Sequence, residues 1–403
     1  MKPKILENQL QYDELLAQLK YMDWDFKNAD TGFLSHSFHP YPAKYIPQIP
    51  AAVINRFTAP GDTVLDVFAG SGTTLVEATR SGRNAIGVDA NPLATLIARV
   101  KCRPLLDGKD AVRESMRCVE ERVNNHYGRA TLSAMVVPDK RQAPLIMPPI
   151  ADLDFWFPKS AQNELAIIKE VIDTSATVTV REFLQVAFSS IIVNVSYQDS
   201  DTRYTRRDKG LKEGETTQRW LARLKEMLSI MNDFDALPNL GNVSTLTIDS
   251  RCLSGIRRES VDLAITSPPY PNAYSYHLYH RFRMEWLGYD QPRFKQEEIG
   301  SHRKYSAKGV KGATAETFRA EMVDVLKGIY HVLKPEKLCV LVVGDSIVRG
   351  IKVDNADLIR SAAVPAGFCH IMTMNRNILS SKKSFNPSIG KIKQEHIVVL
   401  KKP

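Results

Sequence analysis

The residues of this sequence best suited to chemistry are Ser267, Pro268, Pro269 and Tyr270, which follow a mostly apolar run at 261–265. Such a run predicts a buried strand, and the two prolines after it predict a rigid loop, because each proline fixes its own φ angle and removes a backbone donor. The Ser267 hydroxyl and the Pro268 carbonyl can both accept hydrogen bonds from an exocyclic NH2, and Tyr270 offers a stacking face. The loop therefore fits a flat ring that bears an amino group.

A second group of residues has the pattern of a cofactor site. A predicted strand at 63–67 is followed by Phe68-Ala69-Gly70-Ser71-Gly72-Thr73-Thr74, which opens a predicted helix. Glycines let the backbone approach a ligand, and a helix N-terminus presents free N–H groups to a polar or anionic group. Asp89 ends the next predicted strand, at 84–88, where it can accept hydrogen bonds from both hydroxyls of a ribose.

Strands and helices that alternate along the chain must position these loops. Further strands are predicted at 243–248, ending in Asp249, and at 338–343, after an amphipathic helix at 316–333 that Lys334-Pro335 is expected to end. A closing pair of strands is predicted at about 369–374 and 396–400. We expect the strand ends that carry Asp249 and Ser267 to be neighbours in a doubly wound sheet.

The Ser267 to Tyr270 loop, the F-A-G-S-G-T loop and the proline-spaced aromatic segment 37–47 resemble the amino-directed methyltransferases of nucleic acids that depend on S-adenosylmethionine (AdoMet). That family has a catalytic loop of the form [S/N/D]-P-P-[Y/F]. The resemblance implies an α/β fold of the Rossmann-like AdoMet-dependent methyltransferase type, with a doubly wound, mostly parallel sheet, a reversed last strand and a helical insertion.

The resemblance also implies roles for individual residues. Ser267, Pro268, Pro269 and Tyr270 would be catalytic. The residues expected to bind AdoMet are Tyr41, Lys44, Asp66, Phe68, Gly70, Gly72, Thr73, Asp89 and Asp249, the last through the adenine amino group. The alternative for segment 37–47 is a cap on the sheet, and for Asp66 a satisfied polar residue near a strand end.

The serine in the loop implies a substrate. In the family the Ser form goes mostly with N4-cytosine products and the Asp or Asn form mostly with N6-adenine, so Ser267 favours a site-specific DNA methyltransferase acting on cytosine N4 of a flipped base. Such an enzyme would serve restriction-modification or another defence or epigenetic setting. Adenine N6, an RNA base and a non-catalytic AdoMet-dependent nucleic-acid binder remain alternatives. A nucleotide-dependent oxidoreductase would explain the glycine loop and Asp89, but not residues 267–270.

Residues 101–240 interrupt the alternation, which divides the chain into three parts. Residues 1–100 hold the N-terminal segment and the first half of the methyltransferase domain, 101–240 a mainly helical insertion that is the candidate target-recognition region, and 241–403 the second half with the catalytic loop. Insertion helices are predicted after a Ser160 cap, at 182–195 and at 218–231.

DNA contacts are predicted on three stretches. The polar segment 196–215 is either a DNA-binding loop or a solvated loop. The aromatic stretch after the catalytic loop either stacks on bases or packs internally. Residues 293–311 are interpreted as a flexible basic flap. The basic segment 380–393 is a further candidate. The residues proposed to contact DNA are Arg203, Arg206, Arg207, Lys209, Tyr274, His277, Arg303 and Lys304.

Composition limits the remaining classes. The 403 residues, 43% of them hydrophobic, can bury a sizeable core, and 54 Lys and Arg against 45 Asp and Glu give a formal charge of +9, compatible with a polyanionic partner. None of the five cysteines follows a proline, as the nucleophile of a 5-methylcytosine enzyme would, which argues against that chemistry. The cysteines form no C-x-x-C pattern, and His277 and His280 lack an apparent third ligand, so no metal site is predicted. With no apolar span or signal segment apparent, we expect a cytoplasmic protein without a membrane partner. DNA is the expected partner, and a restriction endonuclease or another defence subunit a further candidate.

Overall fold

The structure is a computed structural model that describes residues 2–129, 144–272, 274–306, 312–378 and 394–403, with side chains from Tyr12 onward. The predicted basic segment 380–393 lies wholly outside these ranges, as do residues 307–311 at the end of the predicted flap. No helix in the described part of the chain is long and apolar enough to cross a bilayer.

The first half of the chain alternates helices and strands before a helical region. Its elements are α1 (Lys2–Tyr21), a 3-10 helix (Leu34–Ser37), α2 (Gln48–Phe57), β1 (Thr63–Asp66), α3 (Thr73–Arg80), β2 (Asn84–Asp89), α4 (Pro92–Cys102), α5 (Gly108–His126), α6 (Leu153–Trp156), α7 (Lys159–Asp173), α8 (Val178–Ile191), β3 (Gln198–Ser200), β4 (Arg203–Arg206) and α9 (Glu215–Asp235).

The second half returns to the sheet. Its elements are β5 (Val243–Thr247), β6 (Val261–Thr266), α10 (Tyr276–Tyr279), α11 (Arg281–Leu287), α12 (Gln291–Glu297), α13 (His302–Ser306), α14 (Ala315–Val332), β7 (Leu333–Gly344), β8 (Ser346–Val348), β9 (Ile351–Val353), α15 (Asn355–Ala363), β10 (Cys369–Asn377) and β11 (Gln394–Lys401).

A seven-stranded sheet in the order β10-β11-β7-β6-β1-β2-β5 forms the centre of the described fold. The strands from β7 to β5 run parallel, whereas β11 is antiparallel to β7 and to β10. The chain moves outward in one direction from β1 to β2 and β5, then returns to β6 on the other side of β1. This reversal creates the crevice in which open α/β sheets bind ligands. The predicted doubly wound sheet with a reversed last strand is confirmed.

The order of the strands corrects one expectation. β5, which precedes Asp249, and β6, which precedes Ser267, are not neighbours, because β1 and β2 lie between them. Parallel strands joined by one connection are often adjacent, but this connection crosses the switch point of the sheet. Asp249 and Ser267 still lie at the same edge, since both strands point the same way.

The strand after α14 begins earlier than predicted. β7 starts at Leu333, directly after α14 ends at Val332, so Lys334 and Pro335 lie inside the strand rather than between two elements. Glu336 there has a φ of 65°, and the pairing of β6 with β7 shifts register between Val261 and Leu263. Proline has no backbone N–H to donate to a neighbouring strand. Because the pairing is interrupted here, Pro335 breaks no hydrogen bond between β6 and β7.

The helices of region 101–240 pack on the sheet layer through α4. One apolar cluster joins residues of α4 such as Ile97 with Leu165 of α7, Leu184 of α8 and Trp220 of α9. The helix predicted to start at a Ser160 cap is preceded by Pro158, which makes no side-chain cap, so that detail is wrong. A solvated loop was one alternative for 196–215, but β3 and β4 pair there as an antiparallel hairpin.

Candidate active site

A cleft with about 740 Å³ of empty space opens at the carboxyl ends of the parallel strands. A volume of this size suits a small-molecule cofactor. The predicted site residues among those that line it are Tyr41, Lys44, Phe68, Gly70, Thr73, Asp89, Asp249, Ser267 and Pro269. The structure therefore brings residues from both sides of the helical insertion into one cavity.

The glycine loop, residues 68–72, follows β1 and lines one side of the cleft with residues 68–71. Gly70 has a φ of 48°, and a Cβ atom there would lie 3.3 Å from the Tyr41 ring, so a side chain would crowd the site. Gly72 does not line the cleft, contrary to its predicted contact with AdoMet. Its φ is 84° and a Cβ would lie 2.8 Å from Ala98, so the glycine allows α3 to pack closely on α4.

Asp89 lies at the tip of β2 and faces this loop. Its Oδ2 accepts a hydrogen bond from the Gly70 N–H at 2.9 Å, and its Oδ1 accepts one from the Asn91 N–H at 2.9 Å. Burial raises the pKa of Asp89 to about 6, although these two bonds oppose the shift. Each carboxylate oxygen retains acceptor capacity for a ligand hydroxyl.

Asp66 does not reach the cleft, which corrects its predicted contact with AdoMet. It is 1% exposed. Its carboxylate accepts hydrogen bonds from the hydroxyls of Thr74 and Thr266, each at 2.5 Å, and from the Phe68 N–H at 3.0 Å. Burial raises its pKa to about 6. Asp66 thus ties the end of β1 to the end of β6 and to the glycine loop, the alternative role considered from the sequence.

Asp249 faces the opposite end of the cleft, where Arg251 fixes its orientation. The Arg251 guanidinium donates to both Asp249 oxygens, with Nε at 2.9 and 3.0 Å and Nη2 at 2.5 Å. Arg251 also lies 3.4 Å from a carboxylate oxygen of Glu321 on α14. A bidentate pair of this kind holds the carboxylate rigid while leaving lone pairs for another donor.

Residues 267–270 form the proline loop, and two of them, Ser267 and Pro269, line the cleft. The Ser267 hydroxyl donates its hydrogen bond to the Val342 carbonyl of β7 at 3.0 Å. Because that proton is engaged, the hydroxyl presents its lone pairs as acceptors.

Pro268 and Tyr270 are not among the lining residues, although both were predicted to be catalytic. Pro268 is buried, and Tyr270 is half-buried, with its hydroxyl donating to Glu395 Oε1 of β11 at 3.0 Å. Glu395 is itself held by Arg376 at 2.8 Å. Glu395 therefore fixes the Tyr270 ring beside the cleft, a contact with no sequence signal because the two residues lie far apart in the chain.

The segment predicted as a flexible flap is instead hydrogen-bonded along the proline loop in its described part. The Asn272 N–H donates to the Gly300 carbonyl at 3.1 Å, and the His302 N–H donates to the Tyr274 carbonyl at 2.9 Å. Gly300 has a φ of 74°, and a Cβ there would lie 2.9 Å from the Pro269 carbonyl oxygen. Segment 298–303 is therefore hydrogen-bonded to the residues that follow the proline loop and lies close to the loop itself at Pro269.

Tyr276 and Glu298 line the cleft although neither was predicted as a site residue. The Tyr276 ring stacks at 6.1 Å from Tyr41. Glu298 accepts hydrogen bonds from the Tyr276 N–H and from His277 Nδ1, the latter at 2.5 Å. Tyr276 belongs to an aromatic run visible in the sequence, whereas nothing marks Glu298 apart from other glutamates.

Two predicted DNA contacts near the cleft are corrected by burial and pairing. His277 is 2% exposed and bound to Glu298, so it cannot meet a base from solvent. Lys304 is half-buried in an ion pair with Glu321. Arg303 is exposed, and Tyr274 is half-buried with its ring 5.9 Å from Tyr276.

The basic residues in and after the hairpin differ in exposure. Arg203, Arg206 and Arg207 are exposed. Arg206 is partly structural, since its guanidinium lies 4.2 Å from the Tyr197 ring centroid and its Nε donates to the Phe155 carbonyl at 3.0 Å. Lys209 donates to the Val193 carbonyl at 2.6 Å, and burial lowers its pKa to about 8.

Asp345, Asp354 and His396 present possible metal ligands within 4.8 Å of one another. Lys352 already pairs with Asp345 at 2.8 Å, and the His396 nitrogens lie 2.7 and 3.2 Å from oxygens of Asn375 and Asp345. This group therefore has the character of an ion-pair cluster.

The polar groups that the cleft presents fit AdoMet. The Ser71 hydroxyl is buried in the lining without a hydrogen-bond partner among the described residues, so a bound ligand can satisfy it. It lies in the glycine loop next to Gly70, whose N–H is bonded to Asp89, and Asp249 lines the same cleft. A hydroxyl donor and two carboxylate acceptors in one lining match the polar groups of a zwitterionic amino acid joined to an adenosine.

Comparison with known proteins points to the same chemistry. The profile of a DNA methylase family matches residues 8–99. The Type II methyltransferase M.MvaI of Kocuria varians is 27% identical over 281 residues, which cover 65% of this chain and 59% of that protein. M.BsoBI of Geobacillus stearothermophilus is 23% identical over 295 residues, covering 65% and 54%.

The chain thus spans a little more than half the length of these two relatives. Among solved structures, a SAM-dependent methyltransferase from Methanosarcina mazei matches with a TM-score of 0.33 and 10% identity, covering 90% of this chain and 98% of that one. AdoMet is the cofactor of the chain, as the matched family and the donor set of the cleft indicate. By the profile matched at residues 8–99 and by these relatives, the chain is similar to the DNA methylases of this family.

Proposed function

We propose that the chain is a site-specific DNA methyltransferase that acts on the exocyclic amino group of a flipped base, most specifically cytosine N4. The observation that carries the proposal is the position of Ser267, which lines the cleft with its proton engaged by the Val342 carbonyl. Its relatives M.MvaI and M.BsoBI are named as Type II methyltransferases, which supports DNA as the substrate.

Ser267 would act as a hydrogen-bond acceptor rather than as a base. An exocyclic amino nitrogen shares its lone pair with the ring, and it becomes more nucleophilic when both of its protons are held by acceptors outside the ring plane. The Ser267 oxygen and the Pro268 carbonyl are the proposed acceptors, and both gain strength as positive charge develops on the nitrogen. A neutral serine is a weak base, so the proton leaves to water after methyl transfer.

The residues of the cleft would hold the cofactor along its length. Bound AdoMet supplies an electrophilic methyl group on a sulfonium centre. Asp89 accepts from the ribose hydroxyls, Asp249 accepts from the adenine amino group, and the loop around Ser71 donates to the methionine carboxylate. Fixing the sulfonium opposite Ser267 would bring methyl and nitrogen into line, which supplies much of the rate enhancement.

The aromatic residues beside the cleft would receive the base. A base must leave the duplex at a cost of a few kcal/mol, and stacking offsets part of that cost. Tyr270 is the proposed stacking residue, and its hydroxyl bond to Glu395 keeps the ring from rotating away.

Replacement of Ser267 by alanine tests this proposal. Transfer of a tritiated methyl from AdoMet to DNA should fall at least about a hundredfold, in the range of losing one transition-state hydrogen bond, while the Kd for AdoMet stays unchanged. Ser361→Ala serves as the matched control, because Ser361 is exposed on α15. Full transfer by Ser267→Ala would contradict the mechanism.

The remaining alternatives give different results in the same assay. Methyl label on adenine would keep the mechanism and change the base, and label in RNA alone would change the polymer. Binding of AdoMet without transfer to either would identify a non-catalytic binder. A restriction endonuclease or another defence subunit is a proposed partner, which co-purification from the native cell would detect.

A further inference from the structure

A second cavity lies between the β3–β4 hairpin and the segment after the proline loop. It holds about 410 Å³ of empty space. Its apolar walls are Trp156 at the end of α6, Tyr204 on β4, Leu278 on α10 and Phe282 on α11. The elements of the helical insertion and of the catalytic half of the chain therefore meet around it.

Trp156, which is half-buried, and Tyr204 offer aromatic faces to a flat ligand, whereas Phe282 is 3% exposed and packs against Trp156. The Trp156 and Phe282 rings lie 5.3 Å apart at their centroids. Tyr204 is 45% exposed at the mouth of the cavity, although it is a large aromatic residue. Aromatic side chains that remain accessible in a concave site are typical platforms for unpaired bases.

The polar groups of the cavity are cationic. Its polar lining consists of Gln198, Arg281 and Arg303, and none of the lining residues is acidic. Arg281 lies 4.8 Å above the Phe282 ring centroid and 3.4 Å from Glu285, so part of its charge is balanced. Arg303 is exposed. Two guanidiniums around aromatic walls match the combination of a base and its phosphate.

The cavity is close to the cleft. Tyr276 lines the cleft and Leu278 lines the cavity, and both belong to the single turn of α10. Ile299 lines the cleft, and Arg303, at the start of α13, follows it closely in the chain. A nucleic acid that presents a base to Ser267 would therefore run close to the cavity.

The hairpin wall is held in place by buried contacts. Asp201, in the turn between β3 and β4, pairs with Arg283 of α11, which is 1% exposed. On the other side the Tyr197 N–H donates to the Trp156 carbonyl at 2.7 Å. The cavity is thus a preformed site rather than a gap between two independent loops.

We propose that this cavity binds one unstacked nucleotide of the substrate DNA that flanks the methylated base, with the base against Trp156 and Tyr204 and its phosphate at Arg281 and Arg303. The proposal rests on the proposed function, since it assigns a second contact to the same substrate. It makes the hairpin a reader of the flanking sequence.

The first test measures binding of a duplex that carries a site methylated by the wild-type protein. Tyr204→Ala should weaken DNA binding about tenfold, the lower part of the range for loss of one stacked base, without changing the Kd for AdoMet. Tyr204→Phe, which keeps the ring, should bind like wild type. Thr205→Ala is the matched control, because successive side chains of a strand point to opposite faces.

The second test replaces the bases next to the target by abasic sites, one position at a time. At one flanking position the abasic site should weaken wild-type binding about tenfold and should cost Tyr204→Ala nothing further, because both changes remove the same contact. Additive losses at every position would overturn the proposal, as would Tyr204→Ala behaving like Thr205→Ala while wild type methylates DNA. Absence of methyl transfer by wild type would instead overturn the proposed function itself.

Discussion

At the scale of single residues, function depends on side chains whose orientation is set by partners behind them. Ser267 is oriented by a main-chain carbonyl, Asp249 by Arg251 and Tyr270 by Glu395. Asp89, Asp249 and Ser267 line the cleft at or just after strand ends, where motifs predicted them. Their supporting partners come from distant parts of the chain and were not predicted.

Glu395 is therefore expected to matter for transfer although it does not line the cleft. Glu395→Ala removes the acceptor of the Tyr270 hydroxyl and leaves Arg376 unpaired, so kcat should fall about tenfold, equivalent to about 1.4 kcal/mol for a hydrogen bond to a charged group. Steady-state kinetics would show it as a change in kcat with an unchanged KM for AdoMet. Glu395→Gln keeps an acceptor and should recover most activity. Wild-type rates for both Glu395→Ala and Tyr270→Phe would exclude this positioning role.

Asp89 should make cofactor binding sensitive to pH. Its pKa is raised to about 6, and a protonated carboxyl loses acceptor capacity for the ribose hydroxyls, so AdoMet affinity should fall as the pH drops through about 6. Without cofactor, the free energy of unfolding should instead rise as the pH falls from about 6 to 3.8. In that range the folded state binds the Asp89 proton more tightly than the unfolded chain does.

Isothermal titration of AdoMet at several pH values measures the effect. Asp89→Asn should bind weakly at all of them and show little pH dependence of its own. Asp66, whose pKa is also about 6, lies behind the loop, so Asp66→Asn should retain the wild-type pH profile of binding. An AdoMet Kd that is flat from pH 5 to pH 8 for the wild type would contradict the assigned role of Asp89.

At the scale of elements, segment 298–303 supports the proline loop through one glycine. Gly300→Ala would place a Cβ 2.9 Å from the Pro269 carbonyl oxygen at a positive φ, so the proline loop must move. We expect at least about a hundredfold loss of methyl transfer with AdoMet binding largely retained, since a misplacement of about 1 Å can cost that much.

Gly288 provides the control for backbone strain. It has a φ of 75°, close to the 74° of Gly300, and a Cβ there would meet nothing within 4 Å. Gly288→Ala should therefore show a similar small stability loss, of about 1 kcal/mol, without the loss of transfer. Equal activity of the two variants would mean that segment 298–303 does not position the loop.

The elements also show where inference from sequence stopped. Strands and helices beside the glycine loop, such as α3 and β2, were placed within a residue or two because apolar periodicity and turn residues agree there. The separation of β5 from β6 was missed, since strand order depends on crossovers that local patterns do not encode. The hairpin β3–β4 was also missed as an element, because its short polar strands lack an apolar face.

At the scale of the whole molecule, the helical insertion shares an apolar core with the sheet layer. Trp220 of α9 is fully buried in the cluster that includes residues of α4. We propose that residues 101–240 unfold together with the rest of the chain. Trp220→Ala should then lower the free energy of unfolding by about 3–5 kcal/mol in one transition.

Urea unfolding followed by tryptophan fluorescence and by far-UV circular dichroism tests this. Coincident curves for wild type and variant indicate one cooperative unit. Lys225→Ala, on an exposed position of the same helix, should leave the midpoint nearly unchanged. Two separate transitions, with only one shifted by Trp220→Ala, would show that the insertion is an independent domain.

The proposed reaction is transfer of the AdoMet methyl to a cytosine amino group of DNA that Ser267 presents. It is tested most directly by mass spectrometry of nucleosides from DNA and RNA incubated with the purified protein and isotope-labelled AdoMet. The predicted result is labelled N4-methylcytosine in DNA from wild type and none from Ser267→Ala. Labelled N6-methyladenine would contradict the assignment of the base, and absence of label in DNA despite measurable AdoMet binding would contradict the proposed function.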